Sequence, residues 1–420
     1  MIKAEEIPAQ EVELIHFSRK LAKTGEASLK AAGLNTLPWT DIDVVFGIGE
    51  PSIPFSSLRV AAQVAESLIR AVSNNEDANN PDLVIDRLRG QRTMAIAAAA
   101  QILGRPISRH NLSLQTTRVP LLEPTAYYSE KEIKTFRLEF GRLLKKNGYP
   151  AGYSPKTREK ILADHAIDPD DVEAKFIEHL DMADIIFDAV KKKSHPELRP
   201  TDKPYSAYFA TDRETGQPFI EIHTQGQTEY SIDGQANHEK GHADMEAVRR
   251  ASIENRQINA VFGLTHMYDR DAARQEAVAL LREHWALAEH EKNNKMFKIE
   301  RLAGIARIIG YSQANYDLHR NGMPIEEVKK KTKQFLPLVE EERVDGTVED
   351  LANDLQFSVY FNVFMPTLKM VIKANRLAPA VKNMLLHQWM TEPQTLEQMQ
   401  ATVTEARLDY QAYYVNDSLI

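Results

Sequence analysis

Helical periodicity runs through most of the chain, and one stretch breaks it. "YSAYFATDRETGQPFIEIHTQGQTEYSI", residues 205–232, carries two β-rich runs, at 205–210 and 219–223, separated by a turn-forming "DRETGQ" and followed by a third short run. Branched and aromatic side chains in short runs bounded by turn residues suit strands. Elsewhere "PFSSLRVAAQVAESLIRAV" and "PDLVIDRLRGQRTMAIAAAAQIL" repeat apolar residues at three- and four-residue spacing, as buried helices do, with the polar "SNNEDANNPD" between them suiting an exposed loop. Further helices are expected at 129–147, 170–192 and 271–309, with more through 324–415. The fold class expected is therefore mainly α with a small β-sheet. The Pro-rich "SHPELRPTDKP" at 194–204 is the best linker candidate and divides the chain into a helical N-terminal region, 1–200, and a second region, 201–420.

Composition narrows the function. Across 420 residues, 43% are hydrophobic and 27% charged, which is ordinary for a globular chain. The net charge of -8 gives no basic face of the kind that recognises nucleic acid, so no such partner is expected. There is no cysteine, which excludes disulfides and thiolate ligands; a metal here must be held by His, Asp or Glu. The first twenty residues lack the pattern of a signal peptide, and the longest apolar run, "MAIAAAAQIL", is about half of the roughly 20 residues that span a bilayer. No membrane span is expected, and a cytoplasmic location fits.

Directly after the β-rich stretch comes "DGQANHEKGHADMEAV", residues 233–248. His238 and His242 stand four apart, so on a helix they share a face and can share one ion. Glu239 is offset round the helix, where it can serve as general base towards water without being a ligand. The small neighbours Ala236, Gly241 and Ala243 leave room for another backbone to approach. Lys240 and Asp244 stand where such helices usually carry uncharged residues, which suggests a helix less buried than usual.

"HEKGHADME" resembles the zincin metallopeptidases, and within them the gluzincin group, over about forty residues. The resemblance implies a zincin-like α+β catalytic region in 201–420, a zinc ion, a peptide or protein substrate, and a third ligand carboxylate from a downstream helix. The metzincin spacing would need glycine at position 245 and histidine at 248, where this chain has Met245 and Val248. In "DAARQEAVALLREHWALAEHEKNN", Glu276 is the first choice for the third ligand, because a carboxylate in so apolar a setting needs a partner such as a cation; Glu283, two turns on, is the runner-up ligand or a supporting group. Carboxylates expected to orient the histidines are Asp244, Glu246 and Glu254. Tyr230, Tyr311, Tyr316 and His319 are the candidate oxyanion donors.

Other signals are weaker. His223 follows a strand run and reads as a structural histidine. "VFGIGEPSIPF" at 45–55 lacks the further glycine and βαβ setting of a nucleotide fingerprint. "KKKTK" at 329 and "VKKKSH" at 190 read as solvated helix faces. Two function classes remain: a zinc-dependent peptidase with Glu239 as base, and a catalytically inactive zincin-like or helical scaffold protein. Oligomeric state is not legible in the sequence.

Overall fold

A computed structural model describes residue 69 and residues 81–102, 107–150, 155–186, 196–201, 207–211, 217–254, 271–336 and 338–417. The "VFGIGEPSIPF" turn, the "PFSSLRV" helix and most of "ENRQINAVFGLTHMYDR" lie outside these residues, as do all but the last two residues of "SNNEDANNPD". The helices in order are α1 (Pro81–Ile102), α2 (Arg109–Thr116), α3 (Glu130–Lys146), α4 (Pro155–His165) and α5 (Val172–Ile186). Strands β1 (Glu197–Thr201), β2 (Ala207–Thr211) and β3 (Pro218–His223) follow. Then come α6 (Glu229–Glu254), α7 (Asp271–His290), α8 (Lys295–His319), α9 (Ile325–Phe335), α10 (Glu341–Asn353), α11 (Leu355–Ala374), α12 (Pro379–Thr391) and α13 (Leu396–Asp417). The expected class, mainly α with one small sheet, is what the chain adopts. No single helix among the described residues is long and apolar enough to cross a membrane.

Two compact units divide the chain. One takes residues 1–121, 249–272 and 350–362; the other takes 122–248, 273–349 and 363–420. In the first, α1 and α2 approach closely at Gly90, where an added Cβ would sit 3.4 Å from the Thr116 carbonyl oxygen. Ser113 is buried there, donating to the Val119 carbonyl at 2.6 Å and accepting from Asn362 at 2.9 Å.

The second unit carries the sheet and the helices of the motif. Its sheet has the order β1-β3-β2, with β1 parallel and β2 antiparallel to β3. Ile220 and Ile222 point from β3 onto Val172 and Phe176 of α5 and Ile232 and Ala236 of α6, so the sheet lies on the first two turns of the motif helix. A larger cluster, including Phe140, Leu144, Leu287, Ile299, Leu302 and Leu368, joins α3, α7, α8 and α11. α3 begins with a capping box: the Ser129 hydroxyl accepts from the Glu132 N–H, and the Glu132 carboxylate accepts from the Ser129 N–H.

Three expectations change. The third β-rich run, "TEYSI", is the first turn of α6: Thr228 and Ser231 exchange side-chain and backbone hydrogen bonds, so the run starts a helix. The proposed linker contains β1, whose Pro200 is tolerated because β1 is an edge strand. The single helix expected over 271–309 breaks at 291–294, where Asn294 caps the start of α8 by accepting from Met296. "KKKTK" keeps the expected solvated side, with Lys330 and Lys331 exposed, and adds ion pairs from Lys329, Lys331 and Lys333 to Glu349, Asp317 and Asp345 at 2.6, 2.6 and 2.7 Å.

Helices α6 and α7 run antiparallel at unusually short range. A Cβ at Gly241 would fall 2.8 Å from the Ala279 Cα, while Gly234, two turns earlier, faces Leu287 and Glu283. The start of α6 is further held by a buried carboxylate, Asp233, which accepts from His179 Nδ1 of α5 at 3.0 Å and His290 Nδ1 of α7 at 2.9 Å. Burial opposes the Asp233 charge, but the two histidine bonds outweigh it and hold the group below the ordinary carboxylate range; the same bond holds His290 above its usual value.

Two expected outcomes follow from these contacts. Gly241→Val should push the helices apart and destabilise the protein by about 1–3 kcal/mol, read as a lower urea midpoint. The His290 contribution is complete below about pH 6.5 and fades as pH rises through its elevated value, whereas the Asp233 contribution is complete above about pH 4 and fades as pH falls. The clamp is thus strongest between about pH 4 and 6.5, and Asp233→Asn should flatten the pH dependence of Tm on both sides of that window; an unchanged profile would remove the clamp from the stability of α6.

Candidate metal centre

The close approach of α6 and α7 decides what the motif faces. Because Gly241 admits the α7 backbone at Ala279, Glu276, one turn earlier on α7, is carried onto the His238 and His242 side chains. The His238 and His242 Nε2 atoms are 3.3 Å apart, Glu276 Oε1 is 3.5 Å from His242 Nε2, and Glu276 Oε2 is 3.7 Å from His238 Nε2. Donor atoms at about 2.0–2.2 Å from a tetrahedral ion lie about 3.3–3.5 Å from one another. The spacing therefore fits one ion with little movement. Among the described residues this is the one group of three His, Asp or Glu ligand atoms that lie within 4.8 Å of one another. Glu276 is only 1% exposed, a burial that an isolated carboxylate does not tolerate without cationic company.

Glu283 does not join the three. It accepts from His238 Nδ1 at 2.9 Å, orienting the ring so that Nε2 faces the other two groups. Burial alone would lower the His238 pKa, but the Glu283 bond and the charges of Glu239, Glu283 and Glu276 outweigh it and bring the group to about 9. Burial, followed by the His238 charge, drives His242 the other way, well below its ordinary value. One histidine holds its proton and its neighbour gives it up, the division expected where two rings face each other.

Glu239 lies on the flank of α6 that meets the sheet. Its Oε2 accepts the backbone N–H of Phe209 at 2.8 Å, tying the motif helix to β2. Burial raises the Glu239 pKa, which makes it a stronger base than an ordinary surface glutamate. The backbone amide of β2 is a partner that no side-chain pattern in the sequence announces.

Lys240 and Asp244 overturn the expectation of an exposed helix. Both are 1% exposed, and they bond to each other, with Arg282 of α7 closing on Asp244 from the opposite side. Asp244 thus bonds two cations, and the carboxylate seen on His238 is Glu283. The Glu254 side chain lies outside the described residues, and Glu246 is buried. Tyr230 turns to His165, bonding Nδ1 at 2.9 Å, and packs on Phe297. Tyr311 bonds Thr347, and Tyr316 and His319 lie further along α8. His223 donates to the Thr201 carbonyl across the β1–β3 pair, in keeping with a structural role.

No protein-family model matches the sequence, and a search of curated proteins gives no match. Among solved structures, a candidate lipoprotein from Colwellia psychrerythraea superposes with a TM-score of 0.56 at 12% identity, covering 96% of this chain and 76% of that one. A second candidate lipoprotein, of unknown function, from Shewanella oneidensis gives 0.46 at 11% identity over 83% of this chain and 72% of that one. A carboxypeptidase from Pyrococcus furiosus gives 0.33 at 11% identity over 96% and 99%. At these identities the first likeness speaks to the fold alone, and the other two carry no functional argument.

Proposed function

We propose that this protein is a zinc-dependent peptidase of gluzincin type, with His238, His242 and Glu276 as ligands and Glu239 as general base. The observation that carries the reading is the convergence of three ligand atoms from two helices on one point, beside a buried glutamate that is not among them. Zinc bound there would polarise the scissile carbonyl and acidify a water. The rest of the chemistry falls to side chains. Glu239 Oε2 is held by the Phe209 N–H, which leaves Oε1 to accept the proton of the attacking water. As the C–N bond breaks, the water oxygen stays on the carbonyl carbon and Glu239 passes the proton to the leaving nitrogen. Glu283 keeps His238 oriented throughout, and β2, the edge strand that touches Glu239, offers a backbone on which an extended peptide can lie.

A second reading follows from the same Phe209 contact: a metal site that fastens α6 to α7 without turnover, in a protein whose glutamate is committed to holding the sheet. Zinc content and activity, measured on the same preparation, distinguish the two.

Protein purified without added metal should carry close to one zinc per chain by mass spectrometry, and His242→Ala should lose it; a native protein without zinc would sink both readings. Glu239→Gln should keep the zinc and lower peptide turnover by about 10²–10⁴-fold, the usual weight of a general base. Full activity in that variant would remove Glu239 from its role, and zinc without turnover in the native protein would favour the fastening role. Glu283→Gln should weaken zinc binding by about 10–100-fold, measured by competition with a chelator.

A further inference from the structure

Several surface cations of the second unit have an acid to pair with. Lys298 pairs with Glu139 at 2.6 Å, Arg301 with Glu291 at 2.6 Å, Arg307 with Glu300 at 2.7 Å and Arg158 with Glu340 at 2.9 Å. Helix α3 is different. Its sequence, "EKEIKTFRLEFGRLLKK", carries Lys131, Lys134, Arg142, Lys145 and Lys146, which are all exposed and make no side-chain hydrogen bond or ion pair among the described residues. At about 100° per residue, these five cations fall within one arc of about 120°, spread over about 22 Å of helix. Phe140, Leu143 and Leu144 are buried on the opposite side. No acid falls in the arc: Glu139 stands at its edge, already paired with Lys298, and Glu132 is held in the capping box. In the middle of the arc stands Leu138, which at 64% is the most exposed of the large hydrophobic side chains among the described residues.

Helix stability does not account for this face. Lys145 and Lys146 in the last turn suit the helix dipole, but Lys131 stands in the first turn, where a cation opposes it. Lys131 with Lys134, and Arg142 with Lys145 and Lys146, are like charges three or four residues apart, a spacing that destabilises the helix bearing them. The whole chain has a net charge of -8, so a ridge of unmatched cations makes a local field of the opposite sign. A partner for it must supply negative charge along the ridge and an apolar place for one leucine at the centre. The surface of an anionic bilayer offers both, with phosphate headgroups for the cations, whose stems lie along the apolar boundary, and acyl chains beneath for the leucine. A nucleic acid backbone matches the cations, leaves Leu138 in water, and is repelled by the rest of the chain.

We propose that the outer face of α3 docks the protein reversibly on a membrane surface rich in anionic phospholipid, through Lys131, Lys134, Arg142, Lys145 and Lys146 with Leu138 between them. The proposal does not depend on the metal centre. Each basic side chain at such a surface weighs about five-fold in affinity. The net charge of the whole chain opposes them, so the attachment is weak and sensitive to salt.

The test is co-sedimentation of the full chain with vesicles of phosphatidylglycerol and phosphatidylcholine in equal parts, beside vesicles of phosphatidylcholine alone. Binding is expected to the anionic vesicles only, at about 50 mM salt, and should fall about ten-fold or more at about 500 mM. Lys134→Glu combined with Arg142→Glu should weaken it by about ten-fold or more, and Leu138→Ser by about three-fold or more. Arg320→Glu combined with Lys330→Glu makes the same change of net charge at exposed positions elsewhere, and should alter binding by less than about three-fold. Should circular dichroism show the α3 reversal variant unfolded, Lys134→Gln combined with Arg142→Gln replaces it, with a loss of about five-fold or more expected. No binding, equal binding to both kinds of vesicle, or equal weakening by the α3 and control variants would overturn the proposal. So would a DNA duplex that binds more tightly than the vesicles and is indifferent to Leu138→Ser, which would assign the ridge to nucleic acid.

Discussion

The candidate centre depends on how near two helix backbones can come. At Gly241 the α6 helix has no side chain to hold α7 away, and the Ala279 Cα fills the space. Every feature around the centre follows from that contact. Glu276 reaches the histidines because its helix is close; Glu283, two turns along, is carried to the other side of His238; and Gly234 continues the near approach towards the start of α6. The helix faces that cannot come together apolar surface to apolar surface do so through charge, with Asp244 held between Lys240 and Arg282. Breaking such a buried set by removing one member typically costs about 3–5 kcal/mol, since the remaining charges keep their burial and lose their partner.

The sequence carried the helical class, the two β runs and the three groups that meet at the centre, because each has a local signature: a period of 3.6, alternation between turn residues, and histidines one turn apart followed by an acid in an apolar helix. It misled where the deciding partner lies far away along the chain. "TEYSI" has strand-like residues, but a hydrogen-bonding exchange between Thr228 and Ser231 starts a helix there. Lys240 and Asp244 look like surface residues until Arg282, from the next helix, is placed beside them. β1 was hidden in a Pro-rich segment, since the prolines that suggest a linker are also permitted on an edge strand that pairs through one side only.

The same limit applies to the groups that surround the candidate ligands. That Glu239 should meet a main-chain amide of β2 has no sequence signature, because every non-proline residue carries the same N–H. Among Asp244, Glu246, Glu254 and Glu283, four acids of similar chemistry, only the crossing of α6 and α7 selects the one that reaches His238.

The bond between Glu283 and His238 also fixes a tautomer. With Nδ1 committed to the carboxylate, Nε2 is the nitrogen left to give a lone pair to an ion, and the ring needs no rotation to offer it. Before an ion arrives, however, the surrounding carboxylates keep His238 protonated up to about pH 9, so at neutral pH that lone pair carries a proton. Filling the centre with a metal would then be an exchange of one cation for another: a proton would leave as the metal entered, and the acidity of the medium would act on occupancy as directly as the concentration of metal.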